Sequence, residues 1–150
     1  MQQSQIGRIL ALDVGMRRIG LAISDALRVT AQGLETLQRK NQRTDLAKLS
    51  GLAKDREVCL FLIGHPRHMS GDESRQAGYV REFAGKLGDA TGVPVQLWDE
   101  RLTTVEAGRV LRSSGISIEK RAKAVDRLSA VILLQSYLDS LPSAVDWSQE

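Results

Sequence analysis

The 150-residue chain has a single cysteine, Cys59. An intramolecular disulfide is therefore excluded, and a cysteine-built zinc site is argued against. Cys59 lies inside an apolar, strand-like run, so it reads as a buried structural thiol rather than a nucleophile. Aromatic residues are scarce: Phe61, Phe83, Tyr79, Tyr137, Trp98 and Trp147. That argues against recognition of many stacked bases on a sheet face. No apolar run approaches the ~20 residues of a membrane span, and Met1-Gln-Gln-Ser-Gln lacks the apolar centre of a signal peptide. A cytoplasmic protein with no membrane partner is expected. There is no P-loop, no dinucleotide fingerprint and no strand–turn–helix nucleophile elbow, so the common nucleotide hydrolases and Ser-His-Asp enzymes are disfavoured. Proline is rare, and neither a repeat nor a linker interrupts the chain. One domain spanning 1–150 is expected, with its core at about 7–140 and a polar C-terminal tail.

The charge is present but uneven. Net charge is only +3. Between Arg101 and Arg127, however, seven basic residues face three acids. Arginine outnumbers lysine by 15 to 6, which suits planar, bidentate contact with phosphate as well as solvated helix faces. A nucleic-acid partner fits this distribution.

Apolar patterning gives the element order. Arg8–Asp13 and Ile19–Ser24 read as strands, joined by Gly15-Met-Arg-Arg as a hairpin turn with Gly15 free to take positive φ. Val29–Leu37 is a weaker third strand. Leu46, Leu49, Leu52 and Ala53 mark a helix face behind a Thr44-Asp45 cap region. Val58–Ile63 is a central strand buried on both faces, and Gly64–Asp72 is a loop. A helix over Glu73–Ala90 follows, opened by a Ser70/Glu73 capping box and stopped at Thr91-Gly92. Val95–Trp98 is a short strand. Thr103 and Glu106 suggest a second capping box, opening a helix that Gly115 ends. The last helix, Glu119–Leu141, carries a stripe of Val125, Leu128, Ile132 and Leu138, broadened by Val131 and Leu134. This order makes a mixed α/β sheet covered by helices, and a ribonuclease H-like architecture shares it.

Three carboxylates interrupt the pattern. Asp13 closes the first strand, Glu100 follows the strand Val95–Trp98, and Asp126 lies inside the last helix, where Asp is disfavoured. Brought together, they would repel strongly unless a hard cation such as Mg²⁺ or Mn²⁺ offset the charge. Such a site could position water against a phosphodiester. Each acid also has a plain alternative: Asp13 as a turn cap, Glu100 as a partner of Arg101, Asp126 as a partner of Lys123. Arg17, Arg18, Arg101 and Lys123 are candidate phosphate contacts near the metals, and Arg127 extends that track. In Gly64-His-Pro-Arg-His-Met-Ser-Gly71, Arg67 and the two histidines, His65 and His68, could touch substrate.

These residues carry a family resemblance. Leu12-Asp13-Val-Gly15-Met-Arg-Arg18-Ile-Gly20-Leu-Ala-Ile-Ser-Asp25 resembles the opening motif of the YqgF, or RuvX-like, nucleases. Ile63-Gly64-His-Pro66-Arg-His-Met69-Ser-Gly71 resembles their Gly-Leu-Pro loop. Trp98-Asp-Glu100-Arg101-Leu-Thr-Thr104 and the run from Asp126 to Asp139 resemble the last two motifs. The resemblance implies a ribonuclease H-like fold with a five-stranded mixed sheet. It also implies Mg²⁺- or Mn²⁺-dependent phosphodiester cleavage with Asp13, Glu100 and Asp126 as the acidic triad. Two roles attach to the family: maturing the 5′ end of precursor 16S ribosomal RNA, and resolving Holliday junctions, for which a two-fold dimer is required. The first, on structured RNA, is the expected one. A non-catalytic RNA-binding factor in ribosome assembly is the alternative of another class. His65, His68 and Ser129 stand where the family usually has Leu, Asn and Ala, and none of these departures touches the triad.

Overall fold

The computed structural model describes residues 7–65, 75–99 and 118–141, with the backbone alone for 118–126. Five strands form one sheet: β1 (Arg8–Val14), β2 (Arg18–Ser24), β3 (Ala31–Gln38), β4 (Val58–His65) and β5 (Val95–Asp99). The helices are α1 (Gln42–Asp55), α2 (Arg75–Thr91) and α3 (Ile118–Ser140). The strand order is β3-β2-β1-β4-β5. β1 runs antiparallel to β2, with Leu12 opposite Leu21 and Asp13 opposite Gly20. It runs parallel to β4, with Leu12 opposite Ile63. β3 is antiparallel to β2, and β5 is parallel to β4.

Alternation along the strands divides the core in two. Leu10, Leu12 and Val14 of β1 face the side covered by α1 and α2, packing with Leu49, Val80, Phe83 and Leu87. Ile9 and Ala11 face α3, packing with Ala130, Leu133, Leu134, Tyr137 and Leu138. The α3 face of the sheet is floored by small residues, since Ala11, Ala22 and Gly33 are neighbours across three strands. A Cβ on Gly33 would lie 2.7 Å from the Arg127 side chain, so this row sets how closely α3 can approach.

Several sequence expectations shift in the structure. Cys59 is exposed, not buried. Arg8 pairs with Val58 and Ile9 with Leu60, so Cys59 is the extra residue of a bulge and turns outward. On the other edge of β1, Ile9 N–H donates to the Oγ of buried Ser24 of β2 at 2.9 Å. Gly15 is not among the described residues with positive φ. Glycine is needed there because a Cβ would sit 2.8 Å from the Arg18 carbonyl oxygen. The N-cap of α1 is Asn41, whose side chain accepts from Thr44 N–H, while Asp45 is buried inside the first turn. β4 runs on through Gly64 and His65, opposite Trp98 and Asp99. The buried stripe of α3 is Ala130, Leu133, Leu134, Tyr137 and Leu138; Leu128, Val131 and Ile132 are half-buried beside it. Gly92 ends α2 at φ +74°, as expected. The Ser70/Glu73 box and the helix expected between Thr103 and Gly115 lie outside the described residues.

β3 starts at Ala31 rather than Val29 because Asp25 Oδ1 takes the N–H groups of Val29 (2.7 Å) and Thr30 (2.9 Å). The Thr30 amide lowers the Asp25 pKa from 3.8, against a smaller opposing effect of burial, with the Val29 amide helping. A depressed carboxylate pKa stabilises the fold above the unfolded value and loses that contribution as pH falls through the folded one. Asp25→Ala should therefore cost no more than about 1 kcal/mol at neutral pH after solvent screening. The difference should close as pH falls below 3.8, read by urea unfolding across pH.

Candidate active site

The C-terminal ends of β1, β4 and β5 lie at one end of the sheet, with the start of β2, the end of β3 and the N-terminus of α1 beside them. Asp13 is the penultimate residue of β1 and is half-buried. It shares the alternation of Ile9 and Ala11, which places it on the α3 side of the sheet. Its neighbour across β2 is Gly20, which has no side chain to occupy the adjacent space. On β5, Gln96 and Trp98 also face α3. Tyr137 O–H donates to Gln96 Oε1 at 3.1 Å, and the Trp98 and Tyr137 rings meet edge-to-face at 5.1 Å.

α3 crosses this face. It packs mainly over β2, β3 and β1, and near its C-terminal end its side chains reach β5, where Trp98 Nε1 donates to Ser136 Oγ at 3.4 Å. Near its middle Arg127 reaches β3, donating from Nε to the Leu34 carbonyl at 3.1 Å across Gly33. Arg127 is thus a strap between helix and sheet, its stem lying against Gly33 and its guanidinium Nε held by the Leu34 carbonyl. Ser129 is fully buried, and its Oγ has no hydrogen-bond partner among the described residues.

The turn after Asp13 is braced by residues that the sequence patterning did not single out. Gly15 N–H donates to the Arg18 carbonyl at 2.9 Å, closing the turn. Arg39 then grips it twice, its backbone N–H donating to the Arg17 carbonyl (2.9 Å) and Nη1 to the Gly15 carbonyl (3.0 Å). Arg39 Nε pairs with Asp45 Oδ2 at 3.1 Å, and both side chains are buried. Asp45 Oδ1 accepts from Lys40 N–H at 3.1 Å. The Arg39 guanidinium also lies 5.3 Å from the Tyr79 ring centre and 5.2 Å from that of Phe83. In sequence, Asp45 looked like a cap because acids are common in a helix's first turn. It lies six positions after Arg39, outside any helix-spacing rule, so no local signal marks the pair.

Of the expected site residues, the structure places Asp13 at the strand end and Arg17 and Arg18 in and just after the turn. Arg17 is exposed and Arg18 half-buried. Half-buried His65 ends β4 opposite Asp99. Glu100, Arg67, His68 and Arg101 lie outside the described residues, as do the side chains of Lys123 and Asp126. Asp13 is therefore the one expected metal ligand whose side chain is described. Its hard oxygen donors, half-buried beside a side-chain-free position, suit Mg²⁺ or Mn²⁺.

Comparison with known proteins decides the family. A family model described as RuvX, Holliday junction resolvase, matches residues 7–140. The chain belongs to the RuvX family. A Koribacter versatilis protein provisionally named a pre-16S rRNA nuclease is 56% identical over 133 residues, covering 89% of this chain and 87% of that one. A Moorella thermoacetica protein of the same name is 47% identical, covering 89% and 96%. Among solved structures, RuvC from T. thermophilus in complex with a Holliday junction substrate superposes with TM-score 0.56 at 12% identity, over 89% of this chain and 97% of that one. The Fowlpox virus resolvase with its junction DNA gives TM-score 0.56 at 14% identity, over 91% and 99%. These likenesses show the ribonuclease H-like fold, and family membership makes this RuvX-family chain a phosphodiester-hydrolysing enzyme.

The Arg39–Asp45 brace has a measurable consequence. Removing one partner of a buried ion pair leaves the other charged and unpaired, at a cost of about 3–5 kcal/mol. Asp45→Ala should lose that much stability by urea unfolding, whereas Asp55→Ala, at the far end of α1, should change little.

Proposed function

We propose that this chain is a single-domain, cytoplasmic, divalent-metal nuclease that processes the 5′ end of precursor 16S ribosomal RNA. Asp13, Glu100 and Asp126 are its acidic triad. The observation that carries the reading is the placement of Asp13 on the α3 side of the central strand. The buried stripe of α3, read back one turn from Ala130, falls in register on Asp126. Glu100 is the residue after β5, whose Gln96 and Trp98 face the same helix. Three hard-oxygen ligands, from the ends of the two strands that flank β4 and from one crossing helix, form a set suited to Mg²⁺ or Mn²⁺.

Bound there, the metal would supply Lewis acidity and an activated water for in-line attack on the phosphodiester. The chain's own residues do the rest. β1, hydrogen-bonded on both edges, holds the Asp13 carboxylate at a fixed position. Arg17 and Arg18, fixed by the Arg39 brace, orient a phosphate beside it. Arg67, Arg101, Lys123 and Arg127 extend the basic track along the nucleic acid. The RNA substrate is supported by the provisional names of the curated relatives. A second reading, cleavage of four-way DNA junctions, is supported by the description of the family model.

Asp13→Asn is nearly isosteric and removes a charged ligand, so it should reduce cleavage at least ~100-fold without lowering the unfolding midpoint. Chelation of the wild-type protein should do the same. The assay compares precursor 16S RNA with a four-way DNA junction under identical salt and metal. Full activity in Asp13→Asn contradicts the triad, and preferential junction cleavage favours the second reading.

A further inference from the structure

Beside the Gly15–Arg18 turn, on the sheet face opposite Asp13, lies a cleft of about 540 Å³. Its walls are the exposed Met16 and Arg17 of the turn, Lys40 from the β3–α1 connection, Asn41 and Gln42 at the start of α1, and Tyr79 of α2. The one acid in the lining, Asp45, has its charge matched by Arg39 and its second oxygen taken by Lys40 N–H. Arg17 and Lys40 remain exposed, and neither is held in an ion pair among the described residues. The cleft is therefore net cationic. The side-chain amides of Gln38 and Gln42, which also line it, can donate as well as accept. Asn41 uses its side-chain oxygen to cap Thr44 N–H, which leaves its NH₂ group. The first N–H groups of α1 add positive potential. A base has less to recognise here, because the Arg39 guanidinium already stacks on the Tyr79 ring.

We propose that this cleft is a second phosphate subsite, holding a backbone phosphate of the same nucleic-acid strand whose scissile phosphate lies at Asp13. Arg17 sits on the turn between the two positions, and a strand passing from the α3 face to this cleft must cross it. Met16, 75% exposed at its tip, offers that strand an apolar contact. An extended polyanion fits better than a small nucleotide because the cleft is open and its cations line one rim. The proposal rests on the nuclease reading above for the identity of the ligand.

The test uses the full-length chain and Lys40→Glu, which keeps the backbone N–H that binds Asp45. Binding of a short single-stranded RNA is measured against KCl concentration. Hydrolysis of bis(p-nitrophenyl) phosphate, a diester too small to span both positions, is measured in parallel. Lys40→Glu should weaken RNA binding roughly tenfold at low salt and flatten the log–log salt slope by about 0.7. The unfolding midpoint and small-diester turnover should be unchanged. RNA affinity and slope equal to wild type overturn the subsite, as does an equal loss in small-diester turnover, which would place the effect at the active site. Binding of a free nucleoside monophosphate that Lys40→Glu abolishes while sparing RNA also overturns it, assigning the cleft to a small ligand. If neither protein hydrolyses any diester but Lys40→Glu still weakens RNA binding, the nuclease reading fails and the subsite stands.

Discussion

β1 has a strand on each edge and helices on each face, and this double burial leaves its side chains only two directions. Leu10, Leu12 and Val14 fill the α1–α2 core, so Asp13 must face α3. A slip of one residue would bury the carboxylate among Leu49, Val80 and Phe83 and turn the leucines to the other face. The hydrophobic effect that holds β1 in register is therefore also what aims the acid. The small row Ala11, Ala22 and Gly33 lets α3 pack closely, and Arg127 straps the helix to Leu34 near the residues that carry Asp126.

The turn that follows β1 poses a separate electrostatic problem. Basic residues useful for phosphate would leave a short turn mobile if solvent alone surrounded them. Arg39 solves this from behind, binding two turn carbonyls while Asp45 and two aromatic rings hold its guanidinium. Arg17 is thereby left exposed on a fixed backbone. An ion pair buried this way contributes little net stability over an apolar contact, but it fixes one geometry.

The strands most deeply buried were the most legible, because β1, β2 and β4 are short apolar runs with clear punctuation. Asp13 was legible for the same reason, as the acid that breaks such a run. The family motifs carried the resemblance across residues 7–140, and the family match has the same limits. What was not legible depended on tertiary neighbours. The phase of α3 was blurred because Val131, Ile132, Leu133 and Leu134 are consecutive apolar residues, which leave the buried face undetermined. Cys59 was misplaced because composition does not reveal a bulge. Asp45 reads as part of a cap in the sequence because its partner, Arg39, arrives from the end of β3.

In the proposed site, Asp13 on β1 and Asp126 on α3, distant in sequence, share a metal. The most direct measurement is Mn²⁺ affinity, by calorimetry or electron paramagnetic resonance, of the wild-type chain and of Asp126→Asn. That substitution lies on the helix, far in sequence from Asp13. Asp126→Asn should lose metal affinity at least ~10-fold with the unfolding midpoint retained. Wild-type Mn²⁺ affinity in Asp126→Asn would contradict it.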